Sequence, residues 1–280
     1  MGIPAVASHL LVMIQVQQSR TKLLFFESFM KDDAILHFIT TRQGGVSKLP
    51  YESLNLGYHN SDSVNHVMQN RDILTTDMNI SISNLTLGQQ VHSGNVHVVD
   101  LSDKGKGSMS YETGIKNTDG MVTDVPNICL MVLVADCAPV LFYDPTKKVI
   151  GIAHSGRMGV VNYVSKNVLT TMHDVYGCKA SQIRVGIAPT ICGDHYPITD
   201  KSRSELVKII PPNSRAISEL NDQPHFSLTE AIEEQLLLDG VTKEHIEISN
   251  LCTFENKDLF YSERRDGRPT GRFAAAIMLR

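Results

Sequence analysis

Three short apolar runs at the centre of the chain most constrain its fold. They span residues 128–135, 140–143 and 149–153 and are rich in Val, Ile and Leu. Residues 144–147, Asp-Pro-Thr-Lys, join the last two runs and are a turn sequence, which indicates a hairpin. Because strands that are apolar throughout are buried on both faces, we predict that these runs form the middle of a covered β-sheet.

Two later segments have the pattern of helices. Apolar residues recur at a period of about 3.6 over residues 158–176, and Gly177 follows as a stop signal. Ser227 and Glu230 form a capping box at the start of a second helix. We also predict a short strand over residues 259–261. Because the strands and helices do not alternate strictly, they indicate an α+β fold in which helices cover mixed sheets.

Length and charge indicate one domain with small-molecule partners. The 280 residues can bury a sizeable core, so we assign residues 23–280 to a single catalytic domain and residues 1–22 to an N-terminal extension. The formal net charge is −4 and no basic run stands out, so we expect no nucleic-acid partner. No apolar run reaches the roughly 18 residues of a membrane-spanning helix, so we expect no membrane partner either.

The cysteine content indicates a reducing compartment. The chain has five cysteines, and no two of them form a C-x-x-C pair. A disulfide framework is therefore not expected. We predict a cytoplasmic location, with at least one thiol free for metal binding or nucleophilic chemistry.

Three dispersed side chains suggest a metal site. Cys137 follows the run 128–135, His154 follows the run 149–153, and His92 lies in a loop before a predicted strand. One thiolate and two imidazoles suit zinc, and three protein ligands leave a fourth position open, as in catalytic sites. The spacing belongs to no local metal motif, so a surface histidine and an inert core cysteine remain the alternative interpretation.

Several arginines are candidates for binding an anion. Arg157 follows a predicted strand and begins a predicted helix, where free N–H groups attract phosphate. Arg42 precedes a Gly-Gly turn, and Arg264 and Arg265 form a pair near the C-terminus. Each could equally be a solvated turn residue.

A set of motifs identifies a family resemblance. The matching segments are residues 40–47 (TTRQGGVS), 53–57 (SLNLG), 90–92 (QVH), 118–124 (TDGMVTD), 135–140 (ADCAPV), 153–156 (AHSG), 264–267 (RRDG) and 270–272 (TGR). In this order they resemble the laccase-domain family, also called the multicopper polyphenol oxidase or YfiH family. The resemblance runs from about residue 34 to the C-terminus.

The resemblance implies a layered α/β/β/α fold and zinc bound by His92, Cys137 and His154. It also implies phosphorolysis of purine nucleosides, namely adenosine, inosine, guanosine and methylthioadenosine, and deamination of adenosine. The expected partners are a nucleoside and phosphate, and the expected assembly is a monomer or weak homodimer. Copper is a possible alternative ion in vitro.

Further site residues are assigned around this trio. Asn55 joins the arginines as an expected phosphate or substrate contact. Asp136, beside the thiolate, is an expected catalytic group that orients a ligand or moves a proton, unless it faces the other way. Residues 156–159 read GRMG where the family usually has GWRG, and residues 188–193 replace its Gly-Pro stretch. We expect these departures to alter base or phosphate contacts.

Three other functions compete with this interpretation. A cysteine hydrolase or deamidase, or an editing factor for peptidoglycan precursors, would use Cys137 as nucleophile and His154 as base. Copper-dependent phenol oxidation is less favoured because the paired His-x-His motifs of multicopper oxidases are missing. A non-catalytic binding protein is disfavoured by a ligand set with an open position.

Overall fold

The computed structural model describes residues 13–280, which form strands and helices in mixed order. The strands are β1 (Ile14–Gln17), β2 (Lys22–Phe25), β3 (Ile35–Thr40), β4 (Leu85–Leu87), β5 (Val96–Val98), β6 (Gly120–Thr123), β7 (Cys129–Val134), β8 (Ala138–Asp144), β9 (Val149–Ser155), β10 (Arg184–Ile187), β11 (Ile217–Leu220), β12 (Gln223–Phe226), β13 (Ile246–Ile248) and β14 (Phe273–Leu279). The helices are α1 (Glu27–Met30), α2 (Val64–Asp77), α3 (Arg157–Val161), α4 (Val164–Tyr176), α5 (Asp200–Leu206), α6 (Leu228–Leu238) and α7 (Glu263–Asp266).

Twelve of the strands form two six-stranded sheets. The first sheet has the order β1-β2-β3-β14-β7-β4 and the second the order β13-β10-β8-β9-β6-β5, while β11 and β12 form a separate hairpin. Three pairs are parallel, β4 with β7, β5 with β6 and β10 with β13, and the others are antiparallel. The chain crosses from the first sheet to the second between β7 and β8, so residues 135–137 form the link that connects the two sheets.

The sheets pack face to face and helices cover their outer faces. Val132 and Ile277 of the first sheet share a buried core with Leu141 and Ile152 of the second. Helix α2 packs its Leu74 against the other face of the first sheet. Helices α3, α4 and α6 cover the other face of the second sheet. This arrangement confirms the predicted α+β class and its α/β/β/α layers.

The central hairpin is confirmed, one predicted helix is wrong in part, and one predicted strand is wrong. Strands β8 and β9 pair from Ala138↔Ser155 to Asp144↔Val149. The helix predicted over residues 158–176 is interrupted, because Tyr163 has a left-handed backbone with φ of 54° between α3 and α4. The strand predicted over residues 259–261 does not form.

The N-terminal segment contributes to the first sheet. Strand β1 pairs with β2, and Met13 is buried in the core. Part of the segment assigned to an extension, residues 1–22, is therefore an edge strand, and residues 1–12 lie outside the described part of the chain. No helix within residues 13–280 has both the length and the apolar character needed to cross a membrane.

Candidate metal centre and its cavity

The link between the two sheets places Cys137 beside His154. Cys137 follows β7 and precedes β8, and His154 lies on β9 opposite Pro139. Because β8 and β9 are antiparallel, the start of one strand meets the end of the other. Two residues that are 17 positions apart in the sequence are thus brought to one edge of the second sheet.

Gln90 positions the loop that carries His92. The Gln90 side chain donates a hydrogen bond to the Leu133 carbonyl at 2.9 Å and accepts one from the Leu133 N–H at 2.8 Å. These two bonds fix the loop after β4 along strand β7. His92 itself has a positive φ of 62°, a backbone conformation that costs energy and is often found at functional sites.

Asp119 connects the His92 loop to His154. Its buried carboxylate accepts hydrogen bonds from the N–H groups of Val91, His92 and Ser93 at 3.2, 3.1 and 2.7 Å, and from the Ser93 hydroxyl at 2.7 Å. The same carboxylate lies 2.9 Å from Nδ1 of His154. That contact fixes the imidazole ring and leaves Nε2 of His154 free to bind a ligand.

The charges of the centre reinforce one another. Burial alone would raise the pKa of Cys137, but His154 and His92 lower it to about 6. Burial would lower the pKa of His154, but Cys137 and Asp119 raise it to about 9. Burial would raise the pKa of Asp119, but its hydrogen bonds with His154 and Ser93 lower it to about 2. These interactions favour the thiolate form of Cys137.

The three side chains fit a divalent metal. The Cys137 Sγ and His92 Nε2 atoms lie 4.0 Å apart, and one ligand atom from each of His92, Cys137 and His154 lies within 4.8 Å of the others. A thiolate and two imidazoles are donors that zinc prefers, and Asp119 is the type of carboxylate that orients a metal-binding histidine. These residues can hold zinc, and the donor set also permits copper.

Gly156 leaves room for this cluster, which gives a testable prediction. A Cβ atom at position 156 would lie 2.5 Å from Cys137 Sγ and 3.6 Å from Cδ2 of His92. We therefore expect Gly156→Ala to displace the thiolate and weaken metal binding by about 10-fold or more, measured by competition with a chromophoric chelator. Unchanged affinity would show that the thiolate is not a ligand.

The cluster lines a cavity of about 630 Å³, a volume typical of small-molecule sites. Four arginines also line the cavity: Arg157, Arg264, Arg268 and Arg272. Such a concentration of guanidinium groups favours a bound anion.

The arginines of the cavity differ in their partners. Arg157 contacts Glu205 at 3.4 Å, and Arg264 donates a long 3.4 Å bond to the Pro197 carbonyl and lies over the ring of Tyr196. By contrast, Arg272 pairs with Glu263 at 2.8 Å. Arg264 is therefore held loosely enough to bind a ligand.

Three predicted contact residues do not line this cavity. Arg42 donates to the carbonyls of Glu52 and Lys257, and Arg265 donates to carbonyls of residues 253, 254 and 260. Asn55 is buried and accepts hydrogen bonds from the N–H groups of Gly57 and Arg272. All three stabilise loops, and their role as phosphate or substrate contacts stays a prediction.

Asp136 lines the cavity but its carboxylate faces protein donors. It accepts a hydrogen bond from the Thr253 hydroxyl at 2.7 Å and another from the Arg264 N–H at 2.7 Å. Its carbonyl accepts the Thr190 hydroxyl. Its expected role in orienting a ligand or moving a proton stays a prediction.

Sequence reasoning missed several residues at the site. Arg268, Arg272 and His59 line the cavity, and Asp119 connects two of the candidate metal ligands, His92 and His154. Burial, followed by the charges of Arg272 and Arg71, lowers the pKa of His59 to about 4, so its neutral ring can donate or accept a hydrogen bond. Asp119 and Arg272 lie in the motifs on which the family resemblance rests, and these motifs could have identified both as site residues.

Comparisons with known proteins agree with this architecture. The chain is 34% identical over 240 residues to purine nucleoside phosphorylase YlmD of Bacillus subtilis, covering 85% of this chain and 86% of the relative. It is 29% identical over 269 residues to a purine nucleoside phosphorylase of Bacteroides thetaiotaomicron, covering 95% and 99%. The crystal structure of YlmD from Geobacillus stearothermophilus matches with a TM-score of 0.90 and 31% identity, covering 96% of this chain and 99% of that one.

The family model gives the same result. The model described as multi-copper polyphenol oxidoreductase laccase matches residues 36–280, which include every motif and all three candidate metal ligands. The match confirms the resemblance inferred from the motifs, and this chain belongs to the multi-copper polyphenol oxidoreductase laccase family.

Proposed function

We propose that this chain is a zinc-dependent purine nucleoside phosphorylase whose metal is held by His92, Cys137 and His154. The observation that carries the proposal is the position of this trio on the wall of a cavity that arginines also line. The names of the Bacillus and Bacteroides relatives support the same activity. We further propose adenosine, inosine, guanosine and methylthioadenosine as substrates.

In this reaction the chain must bind phosphate next to a nucleoside. An oxygen of hydrogenphosphate bonds to C1′ of the sugar while the C1′–N9 bond breaks, and the purine leaves with the bonding electrons and takes up the proton that the hydrogenphosphate gives up. Arg264 and Arg157 bind and orient the phosphate, since fixed guanidinium groups lower the entropic cost of its approach. The neutral His59 ring bonds a hydroxyl or base atom of the nucleoside. Zinc would supply Lewis-acid stabilisation of negative charge.

Asp136 has a positioning role in this proposal. Its carboxylate fixes the N–H of Arg264 at the start of α7, and thereby the direction in which the Arg264 side chain leaves the backbone. We also propose adenosine deamination as a second activity of the same cavity, in keeping with the sequence resemblance. A cytoplasmic location and a monomer or weak homodimer remain predictions.

A phosphate-dependent product assay tests the proposal. The purified protein is incubated with each of the four nucleosides, with and without phosphate, and the products are separated. We expect free purine base and a sugar 1-phosphate only when phosphate is present, whereas deamination would convert adenosine to inosine without phosphate. Absence of base release from all four nucleosides, or equal release without phosphate, would refute the phosphorylase proposal.

Arg264 provides a second test. Charge-assisted hydrogen bonds contribute about 1.5–3 kcal/mol, so we expect Arg264→Ala to raise KM for phosphate roughly 10- to 100-fold while KM for the nucleoside changes much less. Arg203→Ala is the matched control, because Arg203 forms an exposed ion pair with Glu219 at 2.6 Å and does not line the cavity. Equal KM values in both variants would exclude Arg264 from phosphate binding.

The cysteine hydrolase remains a second candidate function. The lowered pKa of Cys137 and its contact with His154 are also what a nucleophile and base require. The two functions differ in whether Cys137 binds a metal. A nucleophile would be alkylated by iodoacetamide whether or not a chelator is present, whereas a metal ligand would become reactive only after metal removal.

A further inference from the structure

A second group of potential metal ligands lies outside the cavity wall. It comprises Cys192, His195, Cys252 and Glu255, and one ligand atom from each lies within 4.8 Å of the others. None of the four is among the residues that line the cavity of about 630 Å³. The group is therefore separate from the centre formed by His92, Cys137 and His154.

Parallel strands bring the two halves of this group together. β10 and β13 are parallel neighbours, so the loops that follow them start at the same end of the second sheet, where both strands have their carboxyl ends. Thr190 and Cys252 form a parallel bridge between these loops, with the Thr190 N–H donating to the Leu251 carbonyl and the Thr253 N–H to the Thr190 carbonyl. The backbone thus fixes both loops before any ligand binds.

Two of the three side-chain distances from His195 match one tetrahedral site, and the distance to Cys192 is slightly shorter. His195 Nδ1 lies 3.1 Å from Cys192 Sγ, 3.8 Å from Cys252 Sγ and 3.6 Å from Oε1 of Glu255. Zinc–sulfur bonds of about 2.3 Å and zinc–nitrogen bonds of about 2.0–2.1 Å place ligand atoms roughly 3.3–3.8 Å apart in a tetrahedron. The His195 ring also stacks on Phe254, with centroids 4.3 Å apart, which restricts its rotation.

The sequence repeats one spacing in the two loops. Residues 192–195 read C-x-x-H and residues 252–255 read C-x-x-E. Two short half-sites far apart in the chain are usual in structural zinc sites, in which four protein ligands close the coordination sphere; Glu255 here takes the place of the cysteine or histidine that is usual as fourth ligand. We propose that Cys192, His195, Cys252 and Glu255 bind a second, structural zinc ion that ties the loop after β10 to the loop after β13.

This second zinc would stabilise one wall of the cavity. Ile191 and Tyr196, on either side of the first half-site, line the cavity, and Thr253 donates to Asp136. Because all four positions are filled by protein, the ion would bind no substrate. The proposal does not depend on the phosphorylase activity, and its tests measure metal rather than turnover.

Metal content in a Cys137→Ala background isolates the second site. The protein is purified without metal-affinity resin in a reducing agent, and zinc is measured by mass spectrometry. We expect about one zinc per chain in Cys137→Ala and none when Cys252→Ala is added. The matched control adds Cys178→Ala, which removes a buried cysteine elsewhere and should retain the zinc. Cobalt(II) in the Cys137→Ala protein should give thiolate charge-transfer absorption that disappears with Cys252→Ala.

Glu255→Ala keeps the test decisive if the cysteine variants do not fold. The Glu255 side chain is 59% exposed, so its replacement should be tolerated, and we expect zinc affinity in the Cys137→Ala background to fall about 10-fold or more. The proposal is overturned if the Cys137→Ala protein contains no zinc, or if Cys252→Ala or Glu255→Ala leaves its zinc binding unchanged. A Cys192–Cys252 disulfide without zinc under the same conditions would also overturn it.

Discussion

Cys137→Ala is expected to abolish metal binding at the first centre and to lower kcat/KM for phosphorolysis roughly 10³-fold, because Lewis-acid stabilisation contributes several kcal/mol and each 1.36 kcal/mol is tenfold in rate. The thiolate would be the only anionic ligand of the trio, and His154 and His92 lower the pKa of Cys137 to about 6. Metal analysis and steady-state kinetics on the same preparation measure both effects.

Cys178→Ala is the control for this substitution. Cys178 is buried in the core between the second sheet and its helices, so its loss should change stability slightly and neither metal content nor kcat/KM. If Cys137→Ala lost activity but kept its full metal content, Cys137 would act as a nucleophile instead of a ligand. If Cys137→Ala kept both its full metal content and its activity, the site assignment would be refuted.

Asp119→Asn is expected to weaken metal binding 10- to 100-fold and to reduce the free energy of unfolding by about 2–3 kcal/mol. The carboxylate accepts hydrogen bonds from three consecutive N–H groups, those of Val91, His92 and Ser93, and contacts His154 at 2.9 Å. An amide of the same size would present an NH₂ group to one of these donors, leaving it unsatisfied in a buried site. Chelator competition and denaturant unfolding measure the two effects.

Asp103→Asn is the matched control for Asp119→Asn. Asp103 is also buried, and it contacts Nε2 of His97 at 2.9 Å and accepts a hydrogen bond from Lys106 at 2.7 Å. Neither Asp103 nor His97 lines the cavity. We expect this variant to lose stability without losing metal affinity. If Asp119→Asn bound metal as tightly as Asp103→Asn, Asp119 would have no role in orienting His154.

The parts of the fold that could be predicted from the sequence are those whose side chains are apolar enough to indicate burial. The runs that became β7, β8 and β9 are apolar at almost every position, and a buried strand is their natural structure. Strand β14 was not predicted, because its Ala274, Ala275 and Ala276 have low strand propensity. It forms because β3 and β7 pair with it on both sides, which is a tertiary effect that local sequence does not contain.

The candidate metal ligands could be predicted from the sequence more readily than the arginines that line the cavity. Thiolate and imidazole chemistry selected His92, Cys137 and His154. The arginines were harder, because an arginine beside a turn looks the same whether it binds backbone carbonyls, as Arg265 does, or lines a cavity, as Arg264 does. The direction of such a side chain is set by contacts with residues distant in sequence.

The second group of potential metal ligands had a sequence signal that a search for C-x-x-C pairs overlooks. His195 follows Cys192 by three positions, and Glu255 follows Cys252 by three positions. Only the parallel pairing of β10 with β13 shows that these two pairs lie close together in the fold. Mixed half-sites of this kind become visible once the sheet topology is known.

Anomalous X-ray diffraction across the zinc absorption edge, on crystals of catalytically active protein, tests the central claim most directly. We expect an anomalous peak about 2.3 Å from Cys137 Sγ and about 2.0–2.1 Å from one ring nitrogen of His92 and of His154, with the fourth coordination position facing the cavity. Active crystals with no metal peak between these three side chains would contradict the proposed metal centre and the function built on it.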